Sequence, residues 1–272
     1  MQKRIFNLIL LSLAAMFIVT GCSSKKDGDD VFKVGLEAGY APFNWTQLDD
    51  SNGGVRIEGS KEFAGGYDVE IAKRIAEGLG KELVIVKMGW GGLIPAVDSG
   101  VVDAIIAGMS PDEERKESID FTDNYYTSDL VMVVKKGGDY EGAKSLVDFK
   151  GAKITGQQAT LHYKVIDQID GVEKDTAMSD FPAMRVALES GIIDGYVSER
   201  PEALSAAAAN DNFAMVEFED GFEASVDERS IAVGVKKKSD LTEEINNILE
   251  EISEEKRQEI MEDAIVNQPA AQ

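Results

Sequence analysis

The sequence has few of the residues that form covalent cross-links, metal sites and activated nucleophiles. It contains 272 residues with one cysteine and one histidine. A single cysteine excludes an intrachain disulfide, and His162 has no second histidine or cysteine to join it around a metal ion. The sequence also has no phosphate-binding glycine loop and no Ser-His-Asp set. We therefore expect no metal, no cofactor and no catalytic residue.

Positive charge is also scarce. Lysine and arginine number 28 against 50 aspartate and glutamate residues, which gives a formal net charge of -22 at pH 7. Such an excess of carboxylates repels phosphates and anionic lipid headgroups. The composition therefore argues against nucleic acid as a partner and against a basic membrane-docking surface.

An apolar run near the N-terminus is too short for a stable membrane span. It covers residues 5–19, follows two cations and ends in Val19-Thr20-Gly21-Cys22. A basic segment before a short apolar run is typical of a secretory signal peptide. The last four residues resemble a bacterial lipobox, in which cleavage before the cysteine leaves a lipidated N-terminus. We predict a signal peptide over residues 1–21, a lipid on Cys22 and a polar tether over residues 22–30.

A predicted strand, loop and helix in the first half of the chain have the features of a carboxylate site. Residues 101–107 are a short apolar run broken by one aspartate, which favours a strand covered on both faces. Ser110 then suits a helix N-cap, Pro111 the first helical position and Glu113 the end of a capping box. The N-terminus of such a helix favours an anion, because its first N–H groups are unpaired. Arg115 can donate two parallel hydrogen bonds to a carboxylate.

A six-residue pattern occurs twice. Ser99-Gly100-Val101-Val102-Asp103-Ala104 recurs 91 positions later as Ser190-Gly191-Ile192-Ile193-Asp194-Gly195. Each copy follows a predicted amphipathic helix, over residues 95–98 and 182–189, and leads through an apolar run to a polar loop. Two α/β units of the same design are therefore predicted. Because ligands bind outside the carboxyl ends of strands in open α/β sheets, two such units facing each other would form a cleft.

The remaining pattern predicts strands that alternate with helices, and hence parallel sheets with right-handed crossovers. The strands are predicted over residues 32–37, 83–86, 129–135, 153–155, 213–218 and 230–236. The helices are predicted over residues 69–79, 161–169, 201–209 and 241–264, the first with Asp68 as its N-cap and the last as one or two helices. Residues 46–66 are polar and glycine-rich and are interpreted as an exposed insertion. Residues 129–135 and 230–236 are expected to cross between the two units.

These motifs resemble those of the extracellular solute-binding proteins of polar amino acid ABC transporters. Members of that family carry G-[MI]-[ST]-x-x-x-x-R between a buried strand and a basic helix, followed by Phe-[ST]-Asp-x-Tyr. The corresponding residues here are Gly108-Met109-Ser110 with Arg115, and Phe121-Thr122-Asp123-Asn124-Tyr125. The resemblance covers residues 32–264. It implies an α/β, two-lobed, periplasmic-binding-protein-like fold of type II, with a ligand cleft between lobes joined by two hinge crossings. Lobe 1 would comprise residues 31–131 and 234–272, and lobe 2 residues 132–233.

The resemblance also implies which residues hold the charged groups of an amino acid ligand. Ser110 and Arg115 would bind the α-carboxylate, and the carbonyl group of Gly108 would help to bind the α-ammonium. The acid that binds the α-ammonium is usually aspartate in the family. The matching residue here is Glu199, which is one methylene longer. A surface carboxylate at the start of a helix is the alternative interpretation of Glu199.

Further positions match family residues that contact the ligand side chain. Tyr40 and Tyr67 correspond to stacking aromatics, and Glu37 to an acid at the far end of the pocket. The loop over residues 157–162 corresponds to one that gives backbone and hydroxyl contacts, here from Gln157, Thr160, Leu161 and His162. Trp90 is interpreted as a core residue, while Trp45 is left open between the cleft rim and the core.

The resemblance predicts a lipid-anchored, extracytoplasmic monomer that captures a polar L-amino acid and delivers it to the permease subunits of an ABC importer. Glu37 favours a cationic side chain, as in lysine, arginine or histidine, because a buried carboxylate is costly without a partner. A neutral polar ligand such as glutamine is the first alternative. The second is an enzyme on the same scaffold, a dehydratase with Glu37 and Glu199 as acid and base, since a fold does not settle function.

Overall fold

Two five-stranded sheets, each flanked by helices, form the two lobes of the fold. The structure, a computed structural model, describes residues 30–269. Its strands within that range are β1 (Val31–Leu36), β2 (Trp45–Gln47), β3 (Val55–Arg56), β4 (Phe63–Gly65), β5 (Glu82–Lys87), β6 (Ala104–Ile105), β7 (Ile119–Thr127), β8 (Leu130–Lys135), β9 (Lys153–Thr155), β10 (Glu173–Lys174), β11 (Gly195–Glu199), β12 (Phe213–Val216) and β13 (Ser230–Lys236). Its α-helices there are α1 (Tyr67–Gly78), α2 (Leu93–Ser99), α3 (Glu113–Ser118), α4 (Leu161–Lys164), α5 (Phe181–Ser190), α6 (Arg200–Ala209), α7 (Val226–Arg229), α8 (Leu241–Glu250) and α9 (Glu254–Asn267).

Both sheets are mixed, whereas the alternation of strands and helices predicted parallel sheets. The first sheet has the order β5-β1-β6-β13-β7 and the second the order β10-β9-β11-β8-β12. In each, three parallel strands are followed by one strand that runs antiparallel to them, β13 or β8, and an outermost strand, β7 or β12, pairs antiparallel with it. For the first sheet, the physical reason lies in the connection of the lobes. β7 leads the chain out of the first sheet and β13 leads it back, so the two strands run in opposite directions side by side.

The repeated sequence pattern forms the same local structure in both sheets. Helices α2 and α5 end at Gly100 (φ 77°, ψ 21°) and Gly191 (φ 76°, ψ 23°), in the left-handed conformation that favours glycine. The aspartate that follows then binds the neighbouring strand. Asp103 Oδ2 accepts a hydrogen bond from the Lys33 N–H at 2.8 Å, and Asp194 Oδ2 accepts one from the Lys153 N–H at 2.8 Å. The prediction of two α/β units of like design is confirmed.

The two crossings between the lobes lie next to each other. β8 pairs within the second sheet from Leu130, whereas lobe 2 was predicted to begin at residue 132. β13 pairs within the first sheet from Ser230, whereas lobe 1 was predicted to resume at residue 234. The connecting segments are therefore the residues just before β8 and just before β13. The Ser128 N–H donates to the Arg229 carbonyl at 3.1 Å, which joins the two segments.

Several predicted elements differ from those observed. Residues 46–66 are not a purely exposed insertion, because they contribute to a three-stranded sheet of order β2-β4-β3, and Ile57 and Ala64 are buried. Only two residues of the apolar run 101–107 form a strand, and Val101 is 55% exposed. The predicted signal peptide, Cys22 and residues 22–29 of the tether lie outside the described residues. Within residues 30–269, no helix is long and apolar enough to cross a membrane.

Candidate functional site

A cavity lies where the two lobes face each other. Loops that follow β1, β5 and β6 of the first sheet line one side of it, and loops that follow β9 and β11 of the second sheet line the other. These are the carboxyl ends of strands, where open α/β sheets bind ligands. The lining residues are Tyr40, Trp90, Gly108, Ser110, Arg115, Gln157, Thr160, Leu161, His162, Glu199 and Glu228. Nine of the eleven predicted ligand-binding residues are therefore brought together, and Glu37 and Tyr67 are not on this surface.

Arg115 is held on the first lobe by the start of a short helix. The predicted capping box at Ser110 is wrong, because α3 begins at Glu113 and its N-cap is Asp112, whose side chain accepts from the Arg115 N–H at 2.9 Å. The guanidinium of Arg115 is buried and donates to the Ser110 carbonyl at 2.9 Å and to the Ala159 carbonyl at 3.1 Å. A guanidinium has five N–H donors, so Arg115 keeps further donors for a carboxylate.

Ala159 joins the lobes through its backbone. Its carbonyl oxygen accepts from Arg115 Nη2 and from Trp90 Nε1, the latter at 3.5 Å. Its φ of 55° lies in the left-handed region, which glycine adopts more readily than alanine. The alanine therefore presents its carbonyl to two side chains of the opposite lobe at the cost of backbone strain.

Glu199 is buried at the end of β11, so the alternative of a surface carboxylate is wrong. It is also the N-cap position of α6, as the sequence indicated. The Tyr40 hydroxyl donates to Glu199 Oε2, and His162 Nε2 lies 3.4 Å from Glu199 Oε1. Burial, followed by the charge of Glu202, raises the pKa of Glu199 to about 8. An ammonium group beside it would favour the ionised form and lower that pKa.

Glu37 does not line the cavity, but it accepts hydrogen bonds from Gln157, which does. Gln157 Nε2 donates to the two Glu37 oxygens at 3.1 and 3.3 Å, and to the Ser179 carbonyl at 3.1 Å. Burial raises the pKa of Glu37 to about 7, and the nearby charge of Asp180 acts in the same direction, whereas the Gln157 hydrogen bond opposes both. The charge of Asp180 therefore acts on Glu37, which contacts the cavity wall through Gln157.

Tyr67 does not line the cavity, which corrects its predicted role as a stacking aromatic. It is fully buried at the start of α1, and its hydroxyl donates to the Tyr125 carbonyl at 2.9 Å. The ring packs edge-on against Phe43 and Tyr126 in the core of the first lobe. Because burial in this core raises the pKa of the Tyr67 phenol above its ordinary value, the hydroxyl stays protonated and serves as a donor.

The structure gives the locations of the two tryptophans, one of which differs from its prediction. Trp90 was interpreted as core, but it is half-buried on the cavity wall, and the Arg115 guanidinium lies 5.1 Å from its ring centroid. Its position in a glycine-rich loop after β5 is the signal that could have identified it. Trp45, left open between rim and core, is buried and donates from Nε1 to Gln47 at 2.7 Å.

Tyr40, which was predicted to stack on the ligand side chain, packs against two aromatic rings that the sequence did not identify as its neighbours. Its ring stacks between Phe43, at a centroid distance of 4.8 Å, and Phe181 of the second lobe, at 4.4 Å. A Cβ atom at Gly108 would lie 2.7 Å from the same ring, and Gly108 has a φ of 64°. Both facts require glycine at the position whose carbonyl the family uses for the ligand.

A buried polar network supports Gly108 from behind. The Gly108 N–H donates to the Tyr125 hydroxyl at 3.4 Å, and this hydroxyl donates to Asp68 Oδ1 at 2.7 Å. Asn44 Nδ2 donates to Asp68 Oδ2 at 2.8 Å. Asp68 is therefore not a helix N-cap, since α1 begins at Tyr67 with Gly66 as its N-cap. Burial raises the pKa of Asp68 to about 6, opposed by its hydrogen bonds to Tyr125 and Asn44.

The fold and the cavity define a two-lobed solute-binding protein with an arginine and a carboxylate on opposite walls of its cleft. Residues 32–265 match the family described as bacterial extracellular solute-binding proteins, family 3, and the chain belongs to this family.

Relatives and solved structures of similar sequence support the assignment over nearly the whole chain. The chain is 29% identical to the arginine-binding extracellular protein ArtP of Bacillus subtilis (strain 168), over 91% of this chain and 92% of ArtP. It is 27% identical to the ABC transporter glutamine-binding protein GlnH of the same strain, over 99% of this chain and 100% of GlnH. An amino acid ABC transporter substrate-binding protein from Streptococcus pneumoniae Canada MDR_19A, solved bound to L-arginine, superimposes with a TM-score of 0.77 at 28% identity. That superposition covers 87% of this chain and 94% of the solved one.

Proposed function

We propose that this protein binds a polar L-amino acid between its lobes and delivers it to the permease subunits of an ABC importer. The observation that carries the proposal is the placement of Arg115 and Glu199 on opposite walls of one cavity. A guanidinium and a carboxylate are complementary to the α-carboxylate and α-ammonium of a zwitterion. Residues from both lobes are needed, so a bound amino acid stabilises the arrangement in which the lobes meet.

We further propose that the ligand side chain is cationic, as in arginine, lysine or histidine. Glu37 is hydrogen-bonded to Gln157 on the cavity wall, and the nearby charge of Asp180 contributes to the raised pKa of Glu37. A cation placed there neutralises a carboxylate that is otherwise costly to ionise in a buried site. The 29% identity to ArtP, which is named as an arginine-binding protein, supports this proposal.

Glutamine is the second candidate, and a specific contact favours it. Glu37 already accepts two hydrogen bonds from an amide, that of Gln157. A glutamine side chain can donate to the same carboxylate without bringing a charge, and GlnH is named for such a ligand. Hydrogen bonds that involve charged groups contribute about 1.5–3 kcal/mol, and both candidates use the same charged acceptor, so a measurement must separate them.

Calorimetry with L-arginine, L-lysine, L-histidine and L-glutamine tests these assignments. We expect a cationic amino acid to bind most tightly. Glu37→Gln should weaken the cationic ligands by about tenfold or more while changing glutamine much less, because the variant removes a charge and keeps an amide-sized side chain. Glu173→Gln, which changes an exposed carboxylate in β10, is the matched control. Tightest binding of glutamine, or an unchanged order in Glu37→Gln, contradicts the cationic assignment.

A lipid on Cys22 is proposed as the membrane anchor. The motif Val19-Thr20-Gly21-Cys22 at the end of an apolar run supports it. Cys22→Ser should move the protein from the membrane fraction to the soluble extracytoplasmic fraction, because it removes the thiol that would carry the lipid. Fractionation followed by immunoblotting measures this. L-Arginine affinity serves as the control and should not change. A Cys22→Ser protein that stays with the membrane contradicts the anchor.

A further inference from the structure

The imidazole of His162 lines the cavity, but the proposed function assigns this ring no contact with the ligand. His162 lies at the start of α4, buried, with its ring edge-on to Phe181 at a centroid distance of 5.6 Å. Nε2 lies 3.4 Å from Glu199 Oε1 but makes no hydrogen bond to any residue between 30 and 269. A buried nitrogen without a partner is costly, so its position on the cavity wall points to a ligand group that satisfies it.

Hydrogen bonds on the other side of the ring fix its tautomer. Thr160 Oγ1 lies 2.7 Å from the Gln157 carbonyl oxygen and 3.3 Å from His162 Nδ1. A hydroxyl has one proton, and a carbonyl oxygen can only accept, so Thr160 donates to Gln157. The hydroxyl oxygen then accepts from a protonated Nδ1 of His162. In a neutral ring this leaves Nε2 with its lone pair.

The ring is neutral at physiological pH. Burial, followed by the charge of Arg115, lowers the pKa of His162 to about 3. Nε2 is therefore an acceptor, and it faces a carboxylate oxygen of Glu199, which is an acceptor when ionised. The Tyr40 hydroxyl already donates to the other Glu199 oxygen. In the free protein a proton on Glu199 can lie between the two acceptors, whereas an ammonium group can replace it with two separate N–H donors.

We propose that His162 is a specificity-determining residue of the ammonium subsite, with its Nε2 lone pair and Glu199 Oε1 each accepting one N–H of the ligand. The inference rests on the proposed function, since it places the α-ammonium of the amino acid here. The third N–H goes to the Gly108 carbonyl on the opposite wall. Three acceptors use all three protons of a primary ammonium, and the proton that Glu199 carried leaves to solvent. The site therefore selects primary amino acids over their Nα-methyl derivatives.

Nitrogen-15 NMR of tag-free protein tests the tautomer directly. His162 is the only histidine in the sequence, so the imidazole signals come from one ring. We expect a protonated Nδ1 and an unprotonated Nε2 at pH 7 in the free protein. Addition of L-arginine should shift the Nε2 signal as an accepted hydrogen bond does, without protonating it. A protonated Nε2 in the free protein, as the other tautomer or as imidazolium, overturns the inference.

Calorimetry of two variants separates a contact with the ligand from a structural role. His162→Leu fills similar space without an acceptor and should weaken L-arginine by about tenfold or more, since a hydrogen bond to a charged group is lost. It should change Nα-methyl-L-arginine much less, so the ratio of the two affinities falls. His162→Gln offers an amide oxygen near the position of Nε2 and should restore part of the ratio. The same measurement with L-glutamine and its Nα-methyl form covers the alternative ligand.

Two outcomes distinguish failure of this inference from failure of the proposed function. If the wild-type protein binds none of the four amino acids, the proposed function fails and the inference falls with it. If the wild type binds one of them and His162→Leu weakens the parent and Nα-methyl ligands equally, the inference alone is overturned. Thermal unfolding of both variants shows whether the fold is kept, and His162→Gln gives the reading if His162→Leu does not fold.

Discussion

Arg115→Ala is expected to abolish most of the affinity for L-arginine. Truncating one partner of a desolvated charge pair costs about 2–5 kcal/mol, and each 1.4 kcal/mol is about tenfold, so the loss is at least about thirtyfold. The buried guanidinium has a further role, since it donates to the Ala159 carbonyl of the other lobe. The variant therefore loses both the ligand contact and a contact that joins the lobes. Calorimetry with L-arginine measures the effect.

Two other variants show whether the geometry or only the charge of Arg115 matters. Arg115→Lys keeps a cation but cannot donate two parallel hydrogen bonds to a carboxylate, so its affinity should fall between those of the wild type and Arg115→Ala. Lys116→Ala is the matched control, because Lys116 is on the same helix and pairs with Asp227 at 2.7 Å outside the cavity. Wild-type affinity in Arg115→Ala, or an equal loss in Lys116→Ala, contradicts the assignment of the α-carboxylate to Arg115.

Much of the fold could be predicted because local rules and tertiary structure agree there. The strands Lys153–Thr155 and Ser230–Lys236 occur at their predicted bounds, since β-branched residues in them are buried. Gly100 and Gly191 end their helices for a purely local reason, the left-handed conformation. The sequence could not show that residues 46–66 form a small sheet. Its strands of two or three residues are too short for a periodicity to be read, and they are stabilised by packing that buries Ala64.

The candidate site could be predicted best where a family motif lies at or after the end of a strand. Gly108 and Arg115 belong to the motif that follows β6, Glu199 ends β11, and all three line the cavity. Tyr67 was predicted to line the cavity but is in the core, and Trp90 was predicted to be in the core but lines the cavity. Both predictions failed because the direction of a side chain in a loop or at a helix start depends on the neighbours that it packs against. The sequence alone does not show which residues those neighbours are. The partners of His162 were hidden for the same reason, since Glu199 approaches it from another strand.

L-Arginine is expected to bind about fiftyfold more tightly at pH 8 than at pH 6, because Glu199 must be ionised to pair with the ammonium group. Burial, followed by the charge of Glu202, raises the pKa of Glu199 to about 8. Its ionised fraction then rises from about one in a hundred at pH 6 to about one half at pH 8. Binding below pH 8 therefore releases a proton. Glu37, with a pKa of about 7, acts in the same direction for a cationic side chain.

The other charged groups around Glu199 do not reverse this dependence. His162 has a pKa of about 3 and stays neutral between pH 6 and pH 8. Arg115 stays cationic throughout that range. Glu202 is buried and pairs with the half-buried Arg185, whose Nη2 lies 2.7 Å from Glu202 Oε1. The pH dependence of binding is therefore assigned to Glu199, with a smaller contribution from Glu37.

The stability of the free protein should have the opposite dependence. The pKa of Glu199 is higher in the folded protein than its ordinary value of 4.5, so the folded state holds the proton more tightly than the unfolded state. That contribution to stability is present below pH 4.5 and is lost as the pH rises through about 8. Bound L-arginine removes the loss, because its ammonium pairs with the ionised carboxylate. The increase in Tm on adding L-arginine should therefore grow from pH 6 to pH 8, and in Glu199→Gln this growth should shrink to the part that Glu37 contributes. An affinity that is flat or falls with pH in the wild type, or the full wild-type slope in Glu199→Gln, contradicts the assignment of the ammonium to Glu199.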